Sequence, residues 1–136
     1  METYVSEVKT IYASSEAIFN KLSDLSNLEK VKDRIPQDKI QDLQFDRDTC
    51  SFSISPVGKV EISIVERDEF KTIKFGSTQS PMAFNLWIQL VEVSNTDTRM
   101  RVTLKADIPF LLKPMVGSKL KDGINRIADA LAMLPY

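Results

Sequence analysis

The chain has 136 residues, 43% hydrophobic and 27% charged, with 18 basic and 19 acidic side chains giving a net charge of −1. That length suits one domain with a sizeable core, and interspersed charge without a basic stripe argues against nucleic acid as a partner. With no histidine and a single cysteine, Cys50, the chain excludes Ser-His-Asp and Cys-His hydrolases, histidine-ligated zinc or haem, and an internal disulfide.

The opening METYVSEVKTIY lacks the layout of a secretory leader. No apolar run approaches the ~20 residues needed to cross a bilayer. A reducing, cytoplasmic protein with no integral membrane segment is expected.

TYVSEVKTIY (3–12) predicts a first strand, with its inward face open between Tyr4, Val8, Tyr12 and Val5, Ile11. Ser14 or Ser15 then offers a helix N-cap, and Ile18, Leu22 and Leu25 recur at helical spacing. SNLE (26–29) reads as a capping box for a second helix with stripe Leu28, Val31, Ile35, stopped by Pro36. From residue 39 the period falls to two. Leu43 and Phe45; Cys50, Phe52 and Ile54; Val60, Ile62 and Ile64; and Ile73 and Phe75 mark four strands joined by polar turns. AFNLWIQLVEV (83–93) and RMRVTLKADI (99–108) predict two more.

Turns this short favour an antiparallel meander, whose apolar face must be covered. The only element long enough is a closing helix with Val116, Leu120, Ile124, Ile127, Ala128, Leu131 and Leu134 on one stripe and Pro114 in its first turn.

This order, carried by SSEAIFNKLSDLSNLEKV (14–31), GKVEISIVERDEFKTIKF (58–75), FNLWIQLVEVS (84–94) and MRVTLKADIPFLLKPMVGSKLKDGINRIADAL (100–131), resembles the START-like, or SRPBCC, helix-grip superfamily. That group includes polyketide cyclases, pathogenesis-related allergens and lipid-transfer domains. The resemblance implies an α+β domain over 1–136. It would have a curved seven-stranded antiparallel sheet, two short helices after the first strand and a long C-terminal helix across the concave face. It also implies a pocket between sheet and helix for a lipid, sterol, polyketide or other apolar molecule. It implies no single reaction, because folds of this kind host many functions.

On that basis the pocket walls would be Phe52, Ile54, Ile64, Phe75, Phe84, Leu86, Ile88 and Leu104, and the lid Met115, Leu120, Ile124 and Ile127. Gly123 beside Ile124 would leave volume over the cavity, or else mark close packing of helix on sheet; Gly117 could simply mark an irregular first turn. IPFLLKPM (108–115) would be a gate with Phe110 and Leu111 at the rim, or an ordinary buried corner.

Glu66 and Glu92 follow the inward parity of their strands and could reach the rim, where a carboxylate would serve as acid or base. Such strand-end acids are more often solvated. Trp87 should face outward with Asn85 and Gln89, as a contact for a homodimer or protein partner or as mere packing. The reverse parity would instead put the two amides in the pocket. The sequence therefore favours a non-catalytic binder of an apolar or amphipathic small molecule, with no cofactor or metal. The alternatives are a protein-interaction module around Trp87 and a cyclase- or dehydratase-like enzyme.

Overall fold

The computed structural model describes residues 2–29, 40–54, 58–79 and 83–136, with the backbone alone at Ile40, Ile54, Gln79 and Met115. The elements are β1 Glu2–Val5, β2 Lys9–Ile11, α1 Ser15–Leu22, α2 Ser26–Glu29, β3 Ile40–Phe45, β4 Thr49–Ile54, β5 Gly58–Asp68, β6 Thr72–Gln79, β7 Ala83–Ser94 and β8 Asp97–Asp107, then a 3₁₀ turn Phe110–Leu112 and α3 Lys113–Ala132. The strands form one open, curved antiparallel sheet in the order β1-β8-β7-β6-β5-β4-β3, with β2 also paired to β8.

The first predicted strand is in fact two. Ser6 interrupts it: its N–H donates to the Val102 carbonyl at 2.8 Å, and its Oγ accepts the Val102 N–H at 2.9 Å. A side-chain oxygen thereby replaces a ladder carbonyl, and the inward parity changes across the break. Tyr4 lies opposite Leu104 on the concave face, whereas Ile11, of the other parity, is buried and Val8 and Tyr12 are exposed. Among the described residues, eight strand segments therefore stand where seven strands were expected.

Three further register shifts lie on the opposite arm of the sheet, one of them between Glu61 and Ile62. β3 shifts register between Gln41 and Gln44, with Asp42 at φ 57°, a left-handed conformation that aspartate tolerates better than most residues. β5 shifts between Ile64 and Glu66, which leaves Val65 as an inserted residue.

Ser14 caps α1 by accepting the Ala17 N–H at 3.1 Å. At α2 the cap differs from the expected box: Ser26 is already helical, and Asp24 Oδ1 accepts its N–H at 3.0 Å. The predicted continuation through Val31 and Ile35 to Pro36 lies outside the described residues.

The interior is closed at one end. Ile18, Phe19, Leu22, Leu25 and Leu28 from the two short helices and the turn between them join Ile73, Ile88, Leu90 and Met100 from the sheet in one buried cluster. Phe19 and Phe70 meet edge to face with centroids 5.7 Å apart, a favoured aromatic geometry. The chain terminus returns to this end, where Lys21 Nζ donates to the Pro135 carbonyl. Each large side chain so buried contributes roughly 1.5–3 kcal/mol, offset by the entropy of ordering it.

Helix α3 packs mainly on β8, β1 and β2. Val116, Ile124, Ala128 and Leu131 are its buried stripe. One flank is stitched to the β1–β2 edge: Lys121 Nζ donates to the Val5 carbonyl, Asn125 Oδ1 accepts the Glu7 N–H at 2.9 Å, and Asp129 pairs with Lys9. No helix among the described residues is long and apolar enough to cross a membrane.

Candidate ligand-binding site

The floor of the site comes from strand alternation. On β7, Phe84, Leu86, Ile88 and Leu90 lie opposite Ala106, Leu104, Val102 and Met100 of β8, and the β8 partners are buried. Across β6, Ile73 and Phe75 continue the same face, as do Ile64, Ile62 and Val60 on β5 and Cys50 and Phe52 on β4. Apolar residues in this register must point to one side of the sheet, which is the side that α3 covers.

Coverage is unequal along that face. Under α1 and α2, Ile73, Ile88 and Leu90 are fully buried. Towards the other end of the strands, Phe52, Ile62, Phe84 and Leu86 are only half-buried although they belong to the inner face. The helix above shows the same asymmetry. Its flank away from β1 and β2 carries Leu120, Gly123 and Ile127, of which Leu120 is half-buried and Ile127 is 39% exposed. A Cβ built on Gly123 would meet nothing within 4 Å. The incompletely covered apolar side chains of the middle of α3 and of the β4–β7 part of the sheet mark the candidate recess.

Of the remaining predicted pocket residues, Ile64, Phe75, Ile88, Leu104 and Ile124 are buried beside or beneath this recess. The side chains of Ile54 and Met115 lie outside the described residues. Phe110 and Leu111 are not a buried corner: they stand in the turn before α3, 83% and 81% exposed.

The two rim acids are placed differently from expectation. The Val65 insertion pairs Glu66 with Lys74, which shares its register with Trp87, so Glu66 is exposed on the outer face. Glu92 is also exposed and serves α1: its Oε1 accepts the Ser15 N–H at 3.0 Å and the Ser15 Oγ–H at 3.3 Å. Neither is in a position to move protons in the recess.

Trp87 faces outward, opposite Lys74 on one side and Thr103 on the other. The ammoniums of Lys74 and Lys105 lie 5.3 and 5.7 Å from its ring centroid. These are cation–π distances, so the indole already has partners within the chain.

Strand alternation also reveals a polar group that the sequence did not single out. Ser77 lies opposite Ile62, on the inner face, and its Oγ accepts the Phe84 N–H at 3.1 Å. The hydroxyl retains its own proton to donate to an occupant. Only its pairing partner identifies its face.

Two phenol and thiol groups border the core without being activated. Cys50 is buried and its thiol is pushed up to about 12, first by burial and then by the Glu29 carboxylate, so it remains a neutral thiol. Tyr4 donates to Glu2 Oε2 at 2.7 Å, which together with burial raises its phenol to about 12. The same hydrogen bond, and the Lys113 ammonium 3.2 Å from Glu2 Oε1, hold the Glu2 carboxyl below its ordinary range.

Among the described residues no group of His, Cys, Asp and Glu could hold a metal ion. A hollow at β3–β5 is lined by Asp42, Gln44, Ser51, Phe52, Ser53 and Lys59 and is mainly polar.

No protein-family model and no curated protein matches the chain. Among solved structures it is similar to a point mutant of norcoclaurine synthase from Thalictrum flavum in complex with a transition-state analogue. The TM-score is 0.74 at 14% identity, over 96% of this chain and 92% of that one. A START superfamily protein from Mycobacterium smegmatis gives a TM-score of 0.64 at 15% identity, over 96% and 94% of the two chains. A protein from Thermus thermophilus gives 0.65 at 16% identity over the same shares. The common element is a curved antiparallel sheet gripped along its concave face by a long C-terminal helix: this chain has the START-like helix-grip fold.

Proposed function

We propose that this chain is a non-catalytic, cytoplasmic, single-domain module that holds an apolar or amphipathic small molecule, of lipid, sterol or polyketide-like character, in the recess between sheet and α3. The observation that supports this reading is incomplete coverage of apolar surface: Phe52, Ile62, Phe84 and Leu86 are half-buried on the inner face, and a Cβ on Gly123 of the covering helix would meet nothing within 4 Å. Removing such a surface from water supplies ~25 cal/mol per Å², and Ser77 would orient a polar end. A norcoclaurine synthase structure of this fold is in complex with dopamine and hydroxybenzaldehyde, which supports the use of the architecture for small organic ligands.

The test is native mass spectrometry of purified protein before and after incubation with a total lipid and metabolite extract. A reproducible adduct is expected, with about tenfold weaker retention in Phe84→Ala, from the loss of roughly 1.5 kcal/mol of apolar burial. A bare mass under both conditions, or equal retention by the variant, would refute the proposal.

A further inference from the structure

Phe110 and Leu111 are adjacent and more than four-fifths exposed, in the turn that joins β8 to α3. Isolated surface apolar residues are ordinary, but a phenylalanine and a leucine held side by side in water are not. The flanking chain carries an excess of lysine: between residues 105 and 122, Lys105, Lys113, Lys119 and Lys121 stand against Asp107 and Asp122. The first turn of α3 contains no acid. Lys113 is held beside Glu2 at 3.2 Å, whereas Lys119, nearly two turns further along α3, is exposed.

We propose that the Phe110–Leu111 turn is a membrane-contact site that inserts its two side chains among the headgroups of an anionic bilayer. A tip of two side chains is far smaller than the ~800 Å² per partner of a stable protein interface. It does suit the headgroup region, where apolar burial and nearby lysines act together. The same turn begins the half of α3 that roofs the recess, so docking would bring the mouth of the site to the lipid surface. That last point rests on the ligand-binding reading; insertion of the tip does not.

The experiment is flotation of the full chain with vesicles of phosphatidylcholine alone and of an equimolar phosphatidylcholine–phosphatidylglycerol mixture. Uptake of N-phenyl-1-naphthylamine is measured in parallel without vesicles. Wild type should float with the anionic vesicles and much less with the neutral ones. The double variant F110D/L111D, altered only at exposed side chains, should lose tenfold or more of that partition, on the order of two apolar side chains' transfer energy. Lys119→Gln should lose roughly fivefold.

Failure of wild type to float, equal flotation of F110D/L111D, or a wild-type dimer that the double variant dissolves in the absence of any flotation would each overturn the proposal. Wild type that floats through the tip yet takes up no naphthylamine would leave the membrane site standing and count against the ligand-binding reading alone.

Discussion

The substitution that bears most directly on the recess is Gly123→Ala. Gly123 lies inside a 20-residue helix, where glycine costs ~0.8–1 kcal/mol relative to alanine through backbone entropy. An added Cβ would meet nothing within 4 Å, so no clash opposes that gain. The variant should therefore be more stable by about 0.8 kcal/mol, or roughly 3–4 °C in Tm for a chain of this size. Thermal and urea unfolding followed by circular dichroism measure it directly. Gly117 is the comparison: its Cβ would sit 3.9 Å from the Tyr4 hydroxyl, an ordinary contact, so alanine is tolerated there as well. Gly123→Leu carries the logic further. Its side chain would extend into the recess beside Leu120 and Ile127, leaving stability no lower than wild type while reducing ligand uptake several-fold. A drop in stability for Gly123→Ala would refute the reasoning, since it would mean that the helix is packed against the sheet at that point and roofs no space.

Glu92→Ala should cost about 1 kcal/mol, because it removes a carboxylate that accepts two hydrogen bonds at the start of α1. Ligand uptake should stay unchanged in the same variant, and a selective loss of uptake would restore Glu92 to the site. Cys50 should resist iodoacetamide at pH 8 in the native state and react on unfolding. Its folded-state pKa is raised above the ordinary 9.0 to about 12, so its contribution to stability is complete below pH 9 and is lost as pH rises from 9 towards 12. Cys50→Ala should remove that alkaline component from the pH dependence of the urea midpoint. Trp87→Ala should destabilise by about 1–2 kcal/mol through its two lysine contacts, with no change in elution volume on size exclusion. A shifted volume would make the outer sheet face an interface.

Much of the architecture is legible in the residues taken in order. Helical spacing marks α1 and α3, and two-residue alternation marks β3–β8, because each element must turn its apolar side chains to one face. The outward direction of Trp87 follows from the same rule, since Phe84, Leu86, Ile88 and Leu90 compete for the other face. The family resemblance added the layer order and the expectation of a pocket.

What alternation alone could not convey is where it breaks. Ser6 and Val65 each interrupt a strand. The first settles Tyr4 and Ile11 inward with Val8 and Tyr12 outward, and the second turns Glu66 to the far side from Ile64. A bulge is a contest between ladder hydrogen bonds and local side-chain bonding, and its outcome depends on a partner strand distant in sequence.

The recess itself is a property of tertiary placement. Local composition determined that the inner face is apolar and that a helix must cover it. Where that helix lies on the face is a matter of long-range contacts, with Lys121, Asn125 and Asp129 holding α3 to the β1–β2 edge. Those contacts join residues more than a hundred positions apart, so periodicity, which reports only which way a side chain points, carries no information about the gap it points into.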